Sequence, residues 1–187
     1  MNLTTQTDNE LMVAVRDGQL TALGELFQRY KRVLWTYFFR LCKDQMLSED
    51  LVQNVFERIL KFKDKFRGDG PFKYWIFHIA RNVYADQFRQ NKVTITSDEI
   101  PVIADETVTP ASSAGEISSE TLLYQALDRL RPDDKELLVL TKLEGLKYRE
   151  VGVLLNVPEN TIKIKVFRAL RSLKNEYVLL DQYYHQS

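Results

Sequence analysis

The sequence predicts an all-α protein built from two small helical domains joined by an acidic flexible linker, and three observations carry that expectation. Apolar residues recur at spacings of three and four along most of the chain, the period of helices with one buried face. From Val93 to Ser118 the period fails, and Pro101, Pro110 and the Ser112-Ser113 pair punctuate a stretch of Thr and acidic residues. Between Leu146 and Lys174 two amphipathic runs are separated by Asn156-Val157-Pro158, the shape of a helical hairpin with a tight turn. The expected boundaries are a first domain over 1–92, a linker over 93–118 and a second domain over 119–187.

Composition agrees with this division. A hydrophobic content of 44% over 187 residues is enough for packed cores. The net charge of zero is an average over unlike segments. Six acids and no Lys or Arg lie between Val93 and Glu120, which leaves 26 basic against 20 acidic residues in the rest of the chain. Cys42 is the only cysteine, so no intrachain disulfide forms and a cysteine-based zinc cluster is excluded. The polar N-terminus resembles no signal peptide, and no apolar run reaches membrane-spanning length, so no membrane insertion is expected and the default is a cytoplasmic protein.

In chain order, residues 10–16 form a short helix that stops at Asp17-Gly18. Thr21 is expected to cap a second, core-building helix through Leu41. Ser48 is expected to cap a third, with Glu49 and Asp50 in its first turn. The apolar positions of this helix, Leu51, Val52, Val55, Phe56, Ile59 and Leu60, wrap further round than one buried face needs, which suggests that part of them meets a partner. A loop over residues 61–70 carries two glycines around Asp69, giving a backbone suited to receiving a ligand. The fourth helix, residues 72–90, has a core stripe at Trp75, Ile76, Ile79 and Val83. Lys73, Tyr74, Phe77, Arg81, Tyr84 and Phe88 occupy the rest of its circumference. Rings beside cations suit single-stranded nucleic acid, although any one ring is more often core than contact. Asn82 and Asp86 are read as partnered polar groups or caps, and His78 as a surface or satisfied histidine.

The second domain restarts at Ser119 with Leu122, Leu123, Ala126, Leu127 and Leu130, then opens a helix at Pro132 that Gly145 ends. In the hairpin, Val151, Leu154 and Leu155 form an apolar stripe, and Gly152 permits another backbone to approach closely. Asn156 suits the left-handed residue that closes a helix. The last helix buries Ile162, Val166, Ala169, Leu170 and Leu173 and turns Lys163, Lys165, Arg168, Arg171 and Lys174 outward, with Glu159 its only acid up to Lys174. That pattern fits a helix-turn-helix whose second helix enters a DNA major groove.

With these elements in order, the chain resembles the extracytoplasmic-function group of bacterial sigma factors. Ser48 to Phe56 resembles the segment that docks on core RNA polymerase. Phe72 to Arg89, with Trp75, Ile79-Ala80-Arg81-Asn82 and Asp86, resembles the helix that opens and reads the minus-ten element. Leu130-Arg131-Pro132 through Leu146, and Glu150 through Ala169, resemble the C-terminal domain and its minus-thirty-five-reading hairpin. The resemblance implies contacts to core polymerase through Asp50, Gln53, Val55 and Phe56. It implies capture of an unstacked base and minus-ten contacts by Phe66, Arg67, Asp69, Lys73, Tyr74, Phe77, Arg81 and Arg89. It implies minus-thirty-five contacts by Glu159, Asn160, Thr161, Lys163, Lys165, Arg168 and Arg171. Core RNA polymerase, promoter DNA and an anti-sigma factor are the partners it implies, with no cofactor, no metal and no catalysis by the chain itself. The sequence departs from the family's usual pattern at Asn54 (usually acidic), Gly152 (usually Ala), Pro158 (often Ser) and Ile164 (usually small and polar). The competing readings are a helix-turn-helix regulator that binds its operator unaided, and a pure interaction protein whose basic face meets an acidic one.

Overall fold

A computed structural model of the chain describes residues 5–94 and 118–185, which fall into two compact units. The acidic linker predicted from Val93 lies, over residues 95–117, outside the described residues, as does the end of the polar tail at 186–187. Every regular element among the described residues is helical.

The N-terminal unit contains α1 (Asp8–Arg16), α2 (Thr21–Cys42), α3 (Gln45–Phe62), a 3-10 turn (Lys63–Lys65) and α4 (Phe72–Thr94). Helix α1 begins two residues earlier than the apolar pattern suggested because Thr7 and Glu10 form a reciprocal capping box. The Glu10 carboxylate accepts from the Thr7 backbone N–H at 2.7 Å, and these bonds hold its pKa below the ordinary value. Thr21 does not cap α2; it is the first helical residue and Leu20 stands before it without a side-chain bond. Lys43 closes α2 in the left-handed conformation, φ 58°.

Ser48 is likewise not the cap of α3. Asp44 is, accepting from the Leu47 backbone N–H at 2.9 Å, while Ser48 is fully buried and its hydroxyl donates back to the Asp44 carbonyl. The start of α3 therefore lies four residues earlier, because the aspartate that ends the left-handed turn supplies the stronger acceptor.

The core of this unit is aromatic. Helix α2 packs on α1 and α3, and α3 on α4. Tyr37 meets Phe77 edge-on at 5.3 Å and Tyr30 meets Phe72 at 5.2 Å, so rings of α2 stitch it to α4. Leu51, Val52, Val55, Phe56 and Ile59 of α3 are all buried. The supposed apolar surplus of that helix is thus spent on two neighbouring helices, and only Leu60, with Met46 near its start, stays exposed. Trp75 is half-buried rather than core, covering Phe66 and Phe72 at the helix edge. Arg58 of α3 and Asp86 of α4 form a 2.8 Å ion pair across the two helices, which gives Asp86 the partner the sequence asked for.

The C-terminal unit contains α5 (Ser119–Asp128), α6 (Pro132–Leu138) running into a π turn (Val139–Leu143), α7 (Tyr148–Leu155) and α8 (Glu159–His185). Ser118 caps α5, and Pro132 opens α6 at a position where its missing N–H is not needed. Lys135 is buried and meets Asp128 at 2.8 Å, tying α6 to the end of α5. Helices α5, α6 and α7 all pack against α8, which acts as the spine of the unit. Its buried stripe is Ile162, Val166, Ala169 and Leu180; Leu173 and Tyr177 are half-buried against Leu122 and Ala126. Leu170, expected inside, is 38% exposed.

Candidate nucleic-acid interface

The hairpin of α7 and α8 is closed by three backbone devices. Asn156 adopts the left-handed conformation at φ 54°, as its residue type allows at small cost. The Val157 N–H donates back to the Gly152 carbonyl at 2.8 Å. A Cβ on Gly152 would stand 2.7 Å from the Val157 carbonyl oxygen, so the turn folds directly onto that glycine. This brings the start of α8 close against α7, with the Glu159 backbone nitrogen 3.5 Å from where that Cβ would lie and Ile162 fully buried.

On those first turns Glu159, Asn160, Lys163, Lys165, Arg168 and Arg171 are exposed and Thr161 is half-buried. Glu159 and Lys163 pair with each other at 3.1 Å. An exposed i,i+4 pair of this kind contributes only about 0.3–0.5 kcal/mol, so it holds the lysine weakly. Ile164, noted in the sequence as a departure from the family pattern, is 53% exposed on the same helix, and Phe167, which the sequence reading missed, is 69% exposed.

In the N-terminal unit the loop over residues 66–71 is held from beneath by α1. The Asn9 amide donates to the Gly70 carbonyl at 2.9 Å, and its side-chain oxygen accepts from the Phe72 backbone N–H at 2.7 Å, capping the first turn of α4. At the other end Arg16 donates to the Phe66 carbonyl at 3.3 Å, while Lys63 donates to the Arg16 carbonyl at 3.2 Å. Gly68 takes φ 77° between them. Arg67 and Asp69 project from the loop and are exposed. Sequence reasoning did not find Asn9 or Arg16, whose partners at Gly70 and Phe66 lie 61 and 50 residues away; only the Thr-x-x-Glu box of α1 carried a local signal.

The remaining expected contacts divide by burial. Lys73, Tyr74 and Arg81 are half-buried on α4, with the Lys73 ammonium 5.9 Å from the Phe77 ring centre. Arg89 is exposed and approaches Asp86 at 3.7 Å. Phe66 and Phe77 are not surface rings. Phe66 is 3% exposed beneath Trp75 and Phe77 is fully enclosed against Tyr37, because a small helical unit needs such rings to fill its interior. They support the surface that Tyr74, Arg67 and Asp69 present. The side chain of Phe88 lies outside the described residues.

Val55 and Phe56 are corrected in the same way. Val55 is fully buried and Phe56, 7% exposed, stacks edge-on against Phe27 at 4.9 Å. Asp50 and Gln53 are exposed, and with Asn54, Glu57, Leu47 and Gln87 they line a shallow depression between α3 and α4. His78 sits on the outer side of α4 with the Asn82 amide 3.3 Å from its Nδ1; partial desolvation and the nearby Arg81 charge lower its pKa.

A helix-turn-helix unit with a cationic second helix, joined in one chain to an all-helical unit whose surface pairs rings with cations, defines a DNA-binding transcription protein. The known families narrow this further. The family model for Sigma-70 region 2 matches residues 26–94, and that for Sigma-70 region 4 matches residues 120–173. The ECF RNA polymerase sigma factor SigM of Bacillus subtilis is 30% identical over 157 residues, covering 83% of this chain and 94% of that protein. The RNA polymerase sigma factor CarQ of Myxococcus xanthus is 28% identical over 166 residues, covering 87% and 93%. Among solved structures, the fold is shared with the sigma factor RpoE of Bartonella quintana in its complex with the anti-sigma factor NepR, at TM-score 0.68 and 23% identity, covering 82% of this chain and 94% of that one. The chain belongs to the extracytoplasmic-function group of the sigma-70 family, the transcription initiation factors that direct core RNA polymerase to promoters. No helix among the described residues is long and apolar enough to cross a membrane.

Proposed function

We propose that the chain divides promoter recognition between its two domains, residues 1–92 serving the polymerase and the minus-ten element and residues 119–187 the minus-thirty-five element, with residues 93–118 as the acidic connector. The exposed face of α3 bearing Asp50 and Gln53 docks on core polymerase, and Val55 and Phe56 hold that face in shape from inside. The α1-braced loop offers Arg67 and Asp69, and α4 offers Lys73, Tyr74, Arg81 and Arg89, to an unpaired strand. Stacking on Tyr74 and phosphate contacts from the cations suit that task, since each base presents a face and each nucleotide a charge. Phe66 and Phe77 keep the platform rigid.

In the second domain, Lys165, Arg168 and Arg171 fix α8 on phosphates, while Glu159, Asn160, Thr161 and Lys163, near its N-terminal end, meet base edges. The chain works in the cytoplasm, leaves nucleotide chemistry to the polymerase, and is itself held in check by an anti-sigma factor of the kind that binds its structural relatives. The acidic connector, rich in carboxylates and free of cations, runs in a basic channel of the polymerase.

The observation that carries this reading is α8: its apolar stripe is locked by α6 and α7 while Lys163, Lys165, Arg168 and Arg171 all face solvent over three turns. Run-off transcription with purified core polymerase tests it. The expected outcome is promoter-specific transcripts only when the chain is added, and duplex binding that gains specificity on addition of core polymerase. Sequence-specific operator binding of equal strength without polymerase would replace this reading with that of a free-standing regulator.

A further inference from the structure

The outward face of α8 is not uniformly polar. Ile162, Val166 and Ala169 point inward and are at most 2% exposed. Advancing about 100° per residue, Asn160, Ile164, Phe167 and Arg171 fall on the opposite side, with Lys163 and Lys174 along one flank and Arg168 along the other. Ile164 and Phe167 therefore stand in the middle of the face that would enter a groove, 53% and 69% exposed. Side chains at i and i+3 lie about 5–6 Å apart at Cβ, so the two form one apolar spot. Such a spot contributes nothing to phosphate binding. On the major-groove edges of the four bases the apolar group on offer is the 5-methyl of thymine.

We infer that Ile164 and Phe167 are specificity-determining residues that read thymine methyl groups in the minus-thirty-five duplex; this rests on the assignment of α8 as the recognition helix. The charge around the pair favours DNA over a protein surface. Lys163, Lys165, Arg168, Arg171 and Lys174 surround it, and Glu159, the only acid up to Lys174, is already paired with Lys163.

The test enriches duplexes from a random-sequence library with the full chain bound to core polymerase, then remakes the enriched duplex with deoxyuridine for thymine, one position at a time. Uridine lacks only the 5-methyl. The native chain should lose about fourfold in affinity at one or two positions, the size expected for losing one buried methyl. Ile164→Ser and Phe167→Ala should bind thymine and uridine duplexes alike; both sites are exposed, and unchanged thermal melting confirms that the fold survives. Equal affinity of the native chain for every thymine and uridine duplex overturns the methyl reader while leaving α8 as a DNA-reading helix. Failure to enrich any duplex overturns both. Uridine indifference together with loss of a protein partner in Ile164→Ser assigns the pair to that partner and also overturns the proposal.

Discussion

At the scale of single residues, Gly152 decides the hairpin. An added Cβ would press on backbone atoms, 2.7 Å from the Val157 carbonyl oxygen and 3.5 Å from the Glu159 nitrogen, and the Val157-to-Gly152 hydrogen bond prevents the turn from moving away. Gly152→Ala is expected to destabilise the C-terminal unit by about 1–3 kcal/mol, the usual cost of an overpacked site. Thermal unfolding of the full chain followed by circular dichroism checks it, and an unchanged midpoint would show that the turn relaxes freely. This contact was legible in the sequence, where a glycine in an apolar stripe one turn before a helix stop marks a close approach. His78 shows the opposite case. Its partners, Asn82 and Arg81, were in view, but partial desolvation depends on the packed helix and has no sequence signature. Because its folded pKa is lowered, the unfolded chain binds the proton more readily. Its stabilising contribution is complete above the ordinary histidine pKa of about 6.5 and declines as pH falls through the lowered folded value. His78→Gln should therefore flatten the fall in melting temperature below neutrality, as differential scanning calorimetry across that range would record.

At the scale of elements, α1 matters more than its nine residues suggest. It lies before residue 26, where the match to Sigma-70 region 2 begins, yet it grips the 66–71 loop at both ends through Asn9 and Arg16. Loosening one end should let Arg67 and Asp69 wander without emptying the core. Asn9→Ala is thus expected to reduce promoter opening several-fold, measured by permanganate reactivity of the opened strand, while polymerase affinity is kept. A proportionate loss of polymerase binding would show that the variant had damaged the unit as a whole. Helix α3 calls for a similar separation. Phe56→Ala removes a buried ring and should cost about 3–5 kcal/mol of stability. Asp50→Ala touches only the exposed face and should weaken polymerase capture with no change in melting temperature. The helical period found the body of α3, though not its start, and could not tell that two neighbours share its wide apolar face. That wide face suggested docking residues where the fold has core, and Phe77 was misplaced for the same reason: a period reports which side is apolar, not how many elements cover it. Phe66 lies in a loop without a period, and its exposed role came from the resemblance alone; the fold buries it at 3% exposure. Asp44 was missed as a cap because Ser48, followed by acids, mimicked one.

At the scale of the whole molecule, neutrality conceals the arrangement that makes DNA binding possible. Six acids gathered between Val93 and Glu120 balance the cations of the two domains, so the formal charge predicts weak attraction to DNA while the local charge on α8 predicts strong attraction. The two can be separated by salt. Each lysine or arginine that neutralises a phosphate releases condensed counterions, and the slope of log affinity against log salt steepens by about 0.9 per contact. Lys165 and Arg168 are exposed on α8 and belong neither to its buried stripe nor to the Glu159–Lys163 pair, so their removal leaves the fold and that pair alone. The double variant Lys165→Ala with Arg168→Ala, assayed as holoenzyme on promoter duplex by fluorescence anisotropy, should show a slope shallower by about two and a uniform loss of affinity across sequences. If the slope stayed as steep as in the native chain, the phosphate contacts would have to come from the N-terminal unit or from polymerase. The role of α8 would then narrow to its base-facing side chains.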